Sequence, residues 1–154
     1  MKGGNATHGY KAHAAVDAES DIVRCVITTP GNVHDSAVAD ELVSGDEVAV
    51  YADKAYCDEG RRNRLRAEGI APRILYKGRR NAPLTAYQRT INKRWSVVRS
   101  QVERIFADWK VRRSLSRCRY VGLMKNHLHI TLLAMAHNLR RMFVLARPSP
   151  PLTA

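Results

Sequence analysis

Between Asn92 and Lys110, apolar side chains fall at Trp95, Val98, Val102, Ile105 and Trp109. Steps of three and four place all five on one face of an α-helix, so the stretch predicts a long amphipathic helix beginning near Thr85. Earlier in the chain the pattern is that of strands. Tyr10 to Asp17 and the β-branched run Ile22 to Thr29, joined by Ala18-Glu19-Ser20-Asp21, predict a β-hairpin that ends at Pro30-Gly31-Asn32. His34-Asp35-Ser36 sits where a helix should begin, with Asp35 or Ser36 as N-cap, and that helix is expected to run to about Val43. Glu47 to Ala52 reads as a short apolar strand with Asp53 at its C-terminal end. Asp58 to Glu68 reads as a helix closed by Gly69, Ala71 to Tyr76 as another strand, and Lys77 to Pro83 as a basic loop. Beyond the long helix, Arg112 to Tyr120 is a basic connector. A last helix carries Leu128, Leu132, Met135, Leu139 and Met142 in steps of four and three. The first nine residues and the tail Pro148-Ser149-Pro150-Pro151 are expected to be unstructured, which leaves 1–146 as the domain and 147–154 as a tail.

The order β-β-α-β-α-β-α predicts an α/β domain with a mixed sheet. In open sheets of this kind, sites form at the carboxyl ends of parallel strands. Asp53 lies at such an end. The second hairpin strand delivers His34 and Asp35 to the same edge if the sheet is mixed, and Asp17 to the opposite one.

Charge alters this picture more than bulk composition does. The 154 residues carry a formal charge of +12, and its distribution is uneven. Residues 1–60 hold four Lys/Arg against eleven Asp/Glu, whereas residues 61–125 hold nineteen against three. An acidic first part followed by a basic second part suggests a carboxylate-bearing surface beside one that binds polyanions. A basic RNA-binding accessory protein is the remote alternative. Cys25, Cys57 and Cys118 show no C-x-x-C spacing, so neither a disulfide framework nor a zinc site follows. The start lacks the apolar core of a signal peptide. The apolar stretch Val121 to Ala146 is broken by Lys125, Asn126, His127, His129, His137, Asn138, Arg140 and Arg141, which makes it an amphipathic helix and not a membrane span. No membrane partner is expected, and a cytoplasmic, nucleoid-associated location is.

Single residues remain ambiguous at this level. Asp53 is either a strand-end cap or a metal ligand. Glu103, four residues after Arg99, is either a metal ligand or half of a helix ion pair worth a few tenths of a kcal/mol. Asp35 is an N-cap or a substitute ligand.

Several short motifs together resemble the DDE transposases of bacterial insertion sequences, specifically the IS-Five-like group. These are Gly9-Tyr10-Lys11-Ala12-His13 with Asp17, Asn32-Val33-His34-Asp35-Ser36, Tyr51-Ala52-Asp53-Lys54-Ala55-Tyr56, Arg99-x-x-x-Glu103-x-x-x-x-x-x-Lys110, and Arg117-Cys118-Arg119-Tyr120-x-Gly122. Each is weak alone; five in family order, spanning about Gly9 to Arg141, are not. The resemblance implies an RNase H-like fold and metal-dependent phosphodiester cleavage and strand transfer at insertion-sequence ends. It implies Asp53 as the second carboxylate and Glu103 as the third, both catalytic and metal-binding, with Mg²⁺ as cofactor and Mn²⁺ as substitute. In such a site two ions about 4 Å apart activate the nucleophile and stabilise the leaving oxygen. Arg99, Lys110, Lys54, His34, Lys77, Arg79, Arg80, Arg112, Arg113, Arg117 and Arg119 are then the residues expected to contact DNA or support the site.

Two positions depart from the family pattern. The signature's Tyr falls on Ser96, and the family's first Asp belongs to a strand before the hairpin, with which this chain begins. The expectation is therefore an N-terminally truncated catalytic portion, inactive alone or completed by an upstream part. Expected partners are DNA ends and target DNA, an upstream-frame polypeptide or a full-length transposase, and further copies of the chain when assembled on DNA. The alternative is a non-catalytic DNA-binding remnant that interferes with the full-length enzyme.

Overall fold

The structure is a computed structural model and describes residues 9–147. The polar opening and the tail from Pro148 lie outside the described residues. The chain divides into two compact units, residues 1–31 with 109–154 and residues 32–108.

In the first unit β1 (Tyr10–Val16) and β2 (Val23–Pro30) form the expected antiparallel hairpin, with a register shift between Ala15 and Val16. Asp17 organises the turn. Its Oδ1 accepts from the Ser20 hydroxyl at 2.6 Å and from the Ser20 and Glu19 backbone N–H groups at 2.7 and 3.2 Å. Asp21 adopts the left-handed conformation (φ 57°) that Asp tolerates better than most residues. The Ser20 hydrogen bonds hold the Asp17 carboxyl below its usual range.

Helix α3 (Leu123–Leu145) packs on this hairpin through a partly polar face. Ile130 and Ala134 are buried, and Asn138 clamps the β2 backbone. Its Oδ1 accepts from Val23 N–H at 2.8 Å and its Nδ2 donates to Val23 C=O at 2.8 Å. His137 reaches the Asp21 carbonyl at 2.9 Å, and Arg141 donates to the Ser20 carbonyl. Buried Asn126 closes the helix start by donating to the carbonyls of Tyr120 and Gly122 at 2.7 and 2.8 Å. The stripe Leu128, Leu132, Met135, Leu139 and Met142 is on the solvent side.

In the second unit β3 (Ala49–Ala52) and β4 (Ala71–Ile74) pair in parallel, joined through α1 (Glu59–Ala67). Helix α1 starts on an Asp58 cap, which accepts from Arg61 N–H at 2.9 Å, and ends before Gly69 at φ +78°. Leu65, Ile70 and Ile74 form the core, with Val43, Val50, Ala52, Tyr56 and Cys57 against it. Long helix α2 (Ala86–Arg112) begins with a reciprocal capping box. Thr85 Oγ1 accepts from Gln88 N–H at 3.2 Å, and Gln88 Oε1 accepts from Thr85 N–H at 3.0 Å. Asn92 then fixes α2 to the end of β4 by accepting from Tyr76 N–H at 2.9 Å and donating to Tyr76 C=O at 3.0 Å. Trp95 stacks on the Tyr76 ring with centroids 5.7 Å apart. Val98, Val102 and Ile105 continue the predicted stripe as half-buried to buried positions, and Trp109 ends it at 1 % exposure.

Two expectations are corrected. No single mixed sheet forms among the described residues; there are two separate two-stranded sheets. Of the two flanks of the parallel pair, the outer edge of β4 is closed to another strand, because Pro72 has no N–H to offer, while the β3 flank stays open. The outward carbonyls of β4 are also occupied: the buried Arg62 guanidinium donates to Ile74 C=O at 2.6 Å and to Pro72 C=O at 3.3 Å. The second correction concerns the helix expected from Asp35 to about Val43. Only a 3-10 turn, Asp35–Val38, is present, and its N-cap is His34 in place of Asp35 or Ser36. The Ser36 C=O accepts from Arg61 Nη2 at 2.9 Å, which ties this turn to α1.

Candidate functional site

Strand β3 ends at Ala52, and Asp53 follows as the N-cap of a second 3-10 turn, Lys54–Tyr56. Its Oδ1 accepts from Lys54 N–H at 2.6 Å, which fixes the carboxylate and leaves Oδ2 on the other side. Oδ2 lies 3.8 Å from Arg99 Nη1. The same guanidinium places Nη2 2.8 Å from Glu103 Oε1, one turn further along α2. Asp53 and Glu103, fifty residues apart, thus meet on one cation that is itself largely covered, its side chain 27 % exposed. Arg99 Nε is buried and has no hydrogen-bond partner among the described residues. Both bland sequence readings therefore hold as local facts. Asp53 is a cap, Glu103 is an i,i+4 ion pair, and a shared guanidinium joins them.

The loop before β3 is tied to this place by α1. Arg61 donates from Nε to Asp40 Oδ1 at 2.8 Å, from Nη1 to Tyr56 C=O at 3.0 Å and from Nη2 to Ser36 C=O at 2.9 Å. Arg64 Nη2 reaches Asp40 Oδ2 at 2.7 Å. The Arg61 contact is the main reason the Asp40 carboxyl is held below its usual range. Tyr56 ends the second of the two turns. Burial, then the charges of Asp35 and Asp53, push its hydroxyl up, so it stays a protonated donor through the neutral range. Nothing in the sequence marked Arg61, Arg62, Asp40 or Tyr56 for these roles. The available signal was the density of arginine on α1, which reads as a solvated face unless the turns that pack against it are known.

The remaining predicted residues separate. Lys54 is exposed directly after Asp53. His34 is exposed, and its Nδ1 bonds the Ser36 side chain at 2.7 Å and caps Ser36 N–H at 3.2 Å. Lys77, Arg79 and Arg80 are exposed on a tight loop where Arg79 and Ala82 bridge. Lys110, Arg112, Arg113, Arg117 and Arg119 are exposed and belong to the first unit. His13, part of the hairpin motif, is buried and bonded to Thr29 Oγ1 at 3.0 Å, a structural position. Among the described residues no group of three or more His, Cys, Asp or Glu side chains is arranged to hold a metal ion.

The chain matches the transposase DDE domain over residues 1–139. The protein therefore belongs to the transposase DDE domain family, which implies DNA binding and DNA transposition. No solved structure matches it. No helix among the described residues is long and apolar enough to cross a membrane.

Proposed function

We propose that Asp53 and Glu103 are two of the carboxylates of a nucleotidyl-transfer site that cleaves and joins insertion-sequence ends, in an RNase H-like domain of the IS-Five-like group. The observation that carries this reading is the convergence of both side chains on the Arg99 guanidinium. Two carboxylates that attract one cation offer hard oxygen donors. Mg²⁺ is often held by only one or two carboxylates, with waters and substrate phosphate completing its shell. The donor set fits that ion, with Mn²⁺ as substitute. A bound divalent ion supplies charge neutralisation at the scissile phosphate and a more acidic nucleophile.

The chain's own groups do the rest. Asp53, fixed by its cap, presents Oδ2 in a constant direction. Arg99, freed from the carboxylates when they bind a cation, is placed to donate to a non-bridging phosphate oxygen, and exposed Lys54 lies beside it. Lys77, Arg79 and Arg80, and in the other unit Lys110, Arg112, Arg113, Arg117 and Arg119, neutralise the DNA backbone; His34 holds its loop in shape. Such contacts position DNA without reading sequence and weaken steeply with salt. The resemblance implies one further carboxylate, the family's first Asp, on a strand preceding the hairpin. As partners we propose an upstream-frame polypeptide or a full-length transposase, with further copies of the chain joining on DNA in the cytoplasm.

The second reading, a DNA-binding remnant that interferes with full-length transposase, is favoured by the lack of a three-residue ligand group among the described residues. A nicking assay on an insertion-sequence end with Mn²⁺, with and without the complementing upstream segment, separates the two. Cleavage lost in both Asp53→Ala and Glu103→Ala supports the catalytic reading. Cleavage indifferent to both substitutions refutes the site. DNA binding without cleavage under every condition favours the remnant.

A further inference from the structure

Helix α3 presents a continuous apolar face away from the hairpin. Met124, Leu128, Leu132, Met135, Leu139 and Met142 are each 53–78 % exposed. From Leu128 onward the spacing is four, three, four, three, so positions recur every seven residues. A period of 3.5 is the seam of a left-handed helix pair, in which side chains of one helix fill the gaps of the other. Six half-exposed Leu and Met side chains amount to on the order of 600 Å² of apolar surface. That is the upper end of what a monomer leaves open and approaches the roughly 800 Å² that one partner contributes to a standard interface.

The helix cannot roll to hide this face. Asn138 holds the Val23 backbone with two hydrogen bonds, and His137 and Arg141 hold the carbonyls of Asp21 and Ser20. Turning the stripe inward would break all of these and bury their partners unsatisfied.

Charge selects the occupant. From Trp109 to Arg147 the chain holds nine Lys/Arg and no Asp or Glu. Of these, Lys125, Arg140 and Arg141 lie within α3, Arg141 being turned to the hairpin, and because the helix carries no acid a second copy would oppose cations with cations and supply no carboxylate to meet them. DNA phosphates suit the cations but not the apolar seam. We propose that the outward face of α3 docks an amphipathic helix of an acidic protein, with Leu- or Ile-type side chains in its seam and Asp or Glu on its flanks. The seam from Met124 to Met142 is about 27 Å long at 1.5 Å per residue, so the partner helix needs about eighteen residues. This surface is separate from Asp53 and Glu103 and does not rest on the catalytic reading.

The test uses the full chain and three fluorescein-labelled 25-residue helical peptides in anisotropy titrations. One has a Leu seam with Glu flanks, one a Leu seam with Lys flanks, and one a Ser seam with Glu flanks. The expected result is saturable binding of the first with Kd on the order of micromolar, and at least tenfold weaker binding of the other two. Leu132→Ser/Leu139→Ser, at exposed positions and with its helix content checked by circular dichroism, should abolish the first. Four outcomes overturn the proposal. They are no binding of the first peptide, equal binding of the Ser-seam peptide (attraction to a polyanion only), binding that survives the double substitution, or sedimentation equilibrium showing that the seam already joins two copies of the chain.

Discussion

Replacing Arg99 with glutamine removes the cation that Asp53 and Glu103 share. The Glu103 contact is short, 2.8 Å, but its carboxylate is 61 % exposed, so solvent reduces it to the few tenths of a kcal/mol of an ordinary i,i+4 pair. The Asp53 contact is longer, 3.8 Å, but both side chains are more covered, 27 % and 36 % exposed. It should contribute about as much again, and the two carboxylates left facing each other repel. Together these place the loss at about 1 kcal/mol, or about 2–4 °C in Tm for a chain of this size. The loss should shrink in high salt. The informative measurement is thermal unfolding by circular dichroism with and without Mn²⁺. If the carboxylates form a cation site, Mn²⁺ should raise the Tm of Arg99→Gln more than that of the unsubstituted chain, because the ion no longer competes with a guanidinium. Adding Glu103→Gln to Arg99→Gln should cancel the gain. Equal Mn²⁺ shifts in all three proteins would show that Arg99 is only a helix ion-pair partner, and the metal-site reasoning would fall.

Two other perturbations probe the frame around this pair. Arg62→Met keeps the bulk of a buried side chain but leaves the Pro72 and Ile74 carbonyls without their donor, and should cost about 3 kcal/mol in urea unfolding; a change below about 0.5 kcal/mol would mean that water replaces the guanidinium. Asp40 is held below its ordinary 3.8 in the folded state, so its contribution is complete above about pH 4 and is lost as pH falls through the lowered value. Asp40→Asn should therefore lower stability at pH 6 and flatten the acid limb of the stability curve, and an unchanged acid limb would remove Asp40 from the account.

Local signals in the sequence foretold most elements because they are satisfied locally. The Asp58 cap, the Gly69 stop and the β-branched hairpin strands depend on neighbours within a few residues, as does the apolar spacing of α2. The meeting of Asp53 and Glu103 on Arg99 was approachable for a different reason: a helix fixes Arg99 and Glu103 on one face, and the strand end fixes Asp53. Where distant groups take over backbone partners, local reading fails. Arg61 ties the Ser36 carbonyl and Asp40 to α1 across more than twenty residues, and the segment there is one turn, not the expected helix. Arg62 donates to the carbonyls of β4 from ten and twelve residues away, contacts that strand periodicity does not register. On α3 the strongest apolar periodicity marks the face turned away, because Asn138, His137 and Arg141 find the hairpin backbone with hydrogen bonds that periodicity does not register.

The guarded edge of β4 makes the parallel sheet polar in a sense unrelated to charge. Residues alternate along a strand, so the N–H and C=O groups of Ala49 and Tyr51 point away from β4, on the flank that Arg62 does not cover. A two-stranded sheet with one flank sealed has a single direction of growth. Any strand joining this unit, whether a legitimate segment or a stray chain in a concentrated preparation, enters beside Tyr51. A proline placed at Tyr51, or a backbone N-methyl group there, would therefore act as a stopper for misassembly and correct assembly alike.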